Sequence, residues 1–148
     1  MQVKFNWLAI IVAAAAAMFI GFLWYGLFFQ LQWAEAVGFS GPGLTEAGAE
    51  VFKHGEPVTL EPTLPMVINA ITMVLYAIFF SWLTAKADMA SLSGGATLGA
   101  VLGVVVTFSH YVTNRFAMEP EFLSVIDGTY HIAIFAAIGA IVGAWRKK

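Results

Sequence analysis

The chain is expected to fold as an all-α integral membrane protein, a bundle of four transmembrane helices. Three observations carry this expectation. Of 148 residues, 60 % are apolar and only 11 % are charged, against about a quarter charged in a soluble domain. The mean hydropathy of +0.82 points the same way. Four apolar stretches are each long enough to cross a hydrocarbon layer about 30 Å thick, which takes roughly 20 residues of helix.

The stretches span about 5–29, 63–85, 91–116 and 125–145, and the whole chain, 1–148, reads as one transmembrane domain. The first contains the alanine run 13–17, and neither the first nor the second holds a charged residue. Lys4 and Ala34-Glu35-Ala36 superficially fit a secretory signal. The apolar run between them far exceeds the roughly 7–15 residues of a signal core, so the first stretch is expected to be a retained helix.

Orientation is read from lysine and arginine in the short flanks. One side collects Lys4, Lys86, Arg146, Lys147 and Lys148, and the other only Lys53 and Arg115. Both termini are therefore expected in the cytoplasm. Trp7, Trp82 and Trp145 would mark the inner interface, and Trp24, Tyr25, Trp33 and Tyr111 the outer one. The long connection, about 30–62, is then an acidic extracytoplasmic loop, with Glu35, Glu46, Glu50, Glu56 and Glu61 against Lys53. Its segment 45–53 is a candidate surface helix, broken on either side by Gly41-Pro42-Gly43 and Gly55-Glu56-Pro57. The plain reading is a solvated lid; the alternatives are a cation-attracting vestibule or a docking loop. Pro62 and Pro65 open the second helix, where a missing N–H costs little.

Small residues recur at every fourth position in the third helix: Ser91, Gly95, Gly99, Gly103 and Thr107. The fourth has Gly139 and Gly143, and the first has Ala13, Ala17 and Gly21. In lipid, close backbone approach over small residues drives helix pairing. Tight contact between the third and fourth helices is the simplest consequence, and a homo-oligomer interface is the alternative. Four helices bury little on their own, so a homo-oligomer is expected, in contact with membrane lipids and open to membrane protein partners.

Ionisable groups inside a span are expensive and are functional candidates. His110 and Asn114 share a face of the third helix, and Asp127 and His131 share one of the fourth, with Tyr130 beside them. Arg115 ends the third helix, and Asn69 and Thr72 lie in the outer part of the second. At about 1.5 Å rise per residue, these groups lie at a similar depth. Asn69, His110, Asn114, Asp127, Tyr130 and His131 are thus expected to converge on an outward-opening polar pocket, walled by Trp24 and Tyr25.

Each has a structural reading too. Ser124-x-x-Asp127 looks like a capping box opening the fourth helix, with Asp in the first turn. His131 would hydrogen-bond across to the third helix, Arg115 would snorkel, and the asparagines would bridge helices. The functional reading is a titratable pocket for an ion or small solute. His110, Asp127 and His131 are candidate ligands for a divalent metal such as zinc, although their spacing is no strong signature.

Absences narrow the field. With no cysteine, disulfides, thiolate metal sites and cysteine nucleophiles are excluded. No phosphate-binding glycine loop, HExxH, Ser-His-Asp or haem motif is present, so no cofactor and no enzymatic activity are expected. A net charge of −2 without a basic patch argues against nucleic acid.

Asn6-Trp7-Leu8-Ala9, Gly21, Trp24-Tyr25-Gly26, Trp33 and Gly38 resemble the opening signature of a bacterial membrane family, domain of unknown function 1761. Ile126-Asp127-Gly128, Tyr130-His131, Gly139, Gly143 and Trp145 are similar to its last helix. The segment 41–62 looks longer than the family's usual connector. The resemblance implies a four-helix membrane protein without an assigned activity. It also puts Trp24, Tyr25, Asp127, Tyr130 and His131 at motif positions. Two classes of function follow: a protein binding or transporting an ion or small solute, or an accessory subunit of a larger membrane complex.

Overall fold

A computed structural model describes residues 4–145. The basic residues Arg146, Lys147 and Lys148, which weigh in the orientation above, lie outside the described residues. The chain runs through α1 (Trp7–Phe22), continued by a π-helical segment (Leu23–Phe28), then α2 (Gln30–Ala36). Three short strands follow: β1 (Phe39–Ser40), β2 (Val51–Lys53) and β3 (Glu56–Val58). Three long helices complete the fold: α3 (Thr63–Lys86), α4 (Leu92–Phe116) and α5 (Glu121–Ala144). Among the described residues, four helices are long and apolar enough to cross a membrane: Trp7–Phe28, Thr63–Lys86, Leu92–Phe116 and Glu121–Ala144. Their 22–25 residues extend about 33–38 Å at 1.5 Å per residue.

Helix α5 is the hub, packing against α1, α3 and α4, while α3 and α4 scarcely touch each other. Its most intimate neighbour is α4, which runs antiparallel to it. A Cβ added at Gly95 would collide with the Gly139 carbonyl, and one at Gly99 with the Phe135 carbonyl. Gly103 meets the Ile132 backbone and Gly143 the Ser91 carbonyl. The small-residue stripes therefore join α4 to α5 within one chain, backbone against backbone. The other faces of α5 present Tyr130, Ile134, Phe135 and Ile138 to Ile10, Ala13, Ala14 and Ala17 of α1 and Met73, Ala77 and Phe80 of α3 in a single apolar cluster. Outward faces such as Leu64, Ile71 and Leu75 of α3 and Val101, Val105 and Phe108 of α4 stay exposed, as lipid-facing residues do.

Polar groups fasten the helix ends. Asn6 caps α1 by accepting from the Ala9 N–H at 3.4 Å, and its Nδ2 donates to the Trp145 carbonyl at 2.7 Å. This clip holds the start of α1 and the end of α5 at the same end of the bundle. Ser91 caps α4 by accepting from the Gly94 N–H at 3.0 Å.

The connection between the first two spans is more ordered than a lid. Helix α2 lies within it, and β1–β2–β3 form an antiparallel sheet with Phe39 opposite Lys53 and Phe52 opposite Pro57. The expected surface helix over 45–53 does not form. Gly48 holds φ +82, outside the helical region, and Val51–Lys53 pairs with Glu56–Val58 instead. Lys53 is drawn inward, its Nζ donating to the Val37 carbonyl and lying 4.2 Å from the centre of the Phe39 ring.

Gly95→Leu is expected to destabilise the protein by about 1–3 kcal/mol, because the α4–α5 seam must open to admit it. Val105→Leu, at a site 59 % exposed on the same helix, should leave stability unchanged. Melting curves in detergent followed by circular dichroism test the pair, and equal melting of the two variants would contradict the seam.

Candidate functional site

The site is built where α1 loosens. Between Leu23 and Phe28 the helix widens to π geometry, closed by the Phe29 N–H donating to the Trp24 carbonyl at 2.9 Å. Single π turns of this kind recur at functional sites. This one lets two consecutive aromatic residues reach α5. The Trp24 indole donates to the Ile126 carbonyl at 3.1 Å, and the Tyr25 hydroxyl donates to Asp127 Oδ1 at 2.9 Å.

Asp127 has a different setting from the one its spacing suggests. Helix α5 begins at Glu121 behind Pro120, so Asp127 stands in the second turn rather than the first. There is no Ser124–Asp127 capping box. Ser124 is buried inside α5 and accepts from Asn114 Nδ2 at 3.1 Å, a bridge between α4 and α5. The physical reason is local: Pro120 has no N–H to lose at a helix start, and the turn from α4 is complete by then. Arg115 ends α4 in an exposed ion pair with Glu121 at 3.4 Å.

A cavity of about 640 Å³ lies between α1, α3, α4 and α5, near the end of the bundle that carries α2. Its polar lining is Asn69, His110, Asp127, Tyr130, His131 and Tyr25. Its apolar wall includes Met18, Phe22, Trp33, Pro65 and Met66. Trp24 and Asn114 do not line it; both are turned to bonds with α5, at the Ile126 carbonyl and at Ser124. Thr72 is absent from the lining as well, its hydroxyl donating to the Ile68 carbonyl within α3. Asn69 Nδ2 contacts Met18 Sδ at 3.2 Å across α3 and α1.

The two histidines of the pocket stand together. The His110 and His131 rings are 4.7 Å apart, tilted by 35°. His131 does not hydrogen-bond across to α4 as expected; its Nδ1 lies 2.7 Å from the Asp127 carbonyl of its own helix. Among the described residues no three His, Asp or Glu side chains gather as a metal site. His110, Asp127 and His131 are not gathered as one ligand set; Tyr25 donates to Asp127 Oδ1, and His131 Nδ1 lies against its own helix backbone.

Trp33 is the main lining residue that sequence reading assigned elsewhere, to the membrane interface. It reaches the cavity because α2 folds back, and its ring stands edge-on to Tyr25 at 5.5 Å. Met18, Gly21 and Phe22 carried a readable signal: with Tyr25 they fall at i, i+3, i+4 and i+7 on one helix face.

A family model described as protein of unknown function (DUF1761) matches residues 8–143. The chain belongs to the DUF1761 family. The match takes in all the cavity-lining residues of this DUF1761 protein, from Met18 to His131. No curated protein and no solved structure matches the chain.

The Tyr25–Asp127 contact predicts coupled stabilities. In a double-mutant cycle of Tyr25→Phe and Asp127→Ala, the coupling energy is expected at about 0.5–2 kcal/mol, the range of hydrogen bonds between membrane helices. Additive losses in detergent unfolding would place the two side chains apart.

Proposed function

We propose that this DUF1761 protein is a small bacterial inner-membrane protein whose pocket binds or conducts an ion or small solute. The pocket opens outward, both termini lie in the cytoplasm, and the protein assembles as a homo-oligomer. The observation that carries the reading is the cavity itself. Polar side chains from four separate helices meet in one space of about 640 Å³, within the roughly 300–1,000 Å³ of small-molecule sites. Polar groups at membrane depth are costly, and helix packing alone needs no such gathering.

The orientation rests on the positive flanks and is tested separately. The chain has no cysteine, so single cysteines report without background. Glu50→Cys is expected to react with a membrane-impermeant maleimide on intact spheroplasts, and Ala90→Cys only after lysis. The reverse pattern would invert the protein.

Native mass spectrometry of the protein released in mild detergent from its own membrane tests the function. The expected result is a homo-oligomer carrying a small molecule or ion that His131→Ala loses. A ligand-free protein recovered only with foreign subunits would instead make it an accessory part of a larger complex.

A further inference from the structure

Three rings stand in sequence on one side of the cavity. Tyr25 lies edge-on to Trp33 with centroids 5.5 Å apart, and edge-on to Tyr130 at 4.9 Å. The middle ring of the three donates its hydroxyl to Asp127 at 2.9 Å. Aromatic rings thus border the same space as a carboxylate. Among the described residues, no lysine or arginine lines the cavity or pairs with Asp127, and Asp127 is the one acidic residue in its lining.

This chemistry selects by charge and by size. An anion would meet a carboxylate with no lysine or arginine beside it, and only the imidazoles of His110 and His131 as partners. A bare divalent metal ion requires about six to eight oxygen ligands, or a compact set of imidazoles and carboxylates, and the cavity gathers neither. Beside the polar side chains and the three rings, its apolar surface comes from Met18, Phe22, Pro65 and Met66. Such a wall is suited to an apolar body, and aromatic faces attract a diffuse positive charge at close range. A volume of about 640 Å³ holds far more than an ammonium ion alone.

Resting on the reading of the cavity as a solute site, we propose that its ligand class is an organic cation: an alkyl- or arylammonium group set between Asp127 and the Trp33–Tyr25–Tyr130 rings, with its apolar body against Met18, Met66 and Phe22. Tyr25 has a positioning role. Its hydroxyl holds one carboxylate oxygen and leaves the other to face the cation.

The test is calorimetric titration of the full chain in detergent with two probes of nearly equal shape. Benzyltrimethylammonium carries the charge, and neopentylbenzene is its neutral carbon analogue. The expected result is saturable binding of benzyltrimethylammonium that Asp127→Asn weakens roughly tenfold or more. Neopentylbenzene binding should not change with that substitution. Trp33→Leu, outside the helical core, is expected to weaken the cation as well and carries the test if Asp127→Asn does not fold. Binding of benzyltrimethylammonium that both variants leave intact would overturn the assignment. So would binding of neopentylbenzene alone, blocked by Met66→Trp at the cavity wall; that result would keep the cavity as a site for neutral solutes. Failure of both probes to bind would overturn the cation assignment and the solute-site reading together.

Discussion

The close approach of α4 to α5 is the contact on which the rest of the structure depends. In hydrocarbon, apolar side chains gain nothing by leaving lipid for protein, so the hydrophobic effect does not hold helices together. Backbone proximity does, through dispersion and weak C–H···O contacts. Gly95 against Gly139 and Gly99 against the Phe135 carbonyl set one register for the two helices. That register leaves Ile134, Phe135 and Ile138 of α5 free for α1 and α3. It also brings His131 beside His110 and Asn114 within reach of Ser124. A slip of one helical turn would separate both of these pairs.

The cavity follows from an imbalance in the same packing. Helix α5 spends its small residues on α4 and its large ones on α1 and α3. Helix α3 leans on α1 and α5 but scarcely on α4. In the middle of the bundle the Tyr76 and Phe80 rings stand 5.0 and 5.1 Å from that of Phe135. Nearer to α2, α3 offers Pro65, Met66 and Asn69 instead, and no comparable ring of that helix closes the gap. The opening is therefore confined to one end, the end where the π segment of α1 turns Tyr25 toward α5.

Much of this was legible in the sequence. The spans were visible because their length and apolarity answer to lipid alone. The α4–α5 seam was visible because close approach requires small residues at a helical repeat. The gathering of Asn69, His110, Asp127, Tyr130 and His131 could be read because equal distance from a helix end means equal depth. What stayed hidden depends on contacts between distant segments. Strands of two and three residues are too short to show an alternation, so β1–β3 look in the sequence like loop and partly like helix. Ser124-x-x-Asp127 fits a capping box by spacing and so suggests a later start for α5; only Pro120 and the packing of Ser124 on Asn114 decide against it. Trp33 looks like an interfacial residue, since nothing local reveals that α2 brings it to the cavity.

The loss of the capping box changes what Asp127 means. At a helix N-terminus a carboxylate is stabilised by free N–H groups and by the helix dipole, and needs no further explanation. In the second turn those N–H groups bond within the helix, and the dipole effect has faded. Asp127 is left with the Tyr25 hydroxyl as its one hydrogen-bond donor among the described residues. A carboxylate accepts several hydrogen bonds, so this one is only partly satisfied. A group serving packing alone would be cheaper as asparagine, which also accepts from a hydroxyl and carries no charge. The energetic cost of keeping a carboxylate here, beside the π segment that brings Tyr25 to it, is not accounted for by packing.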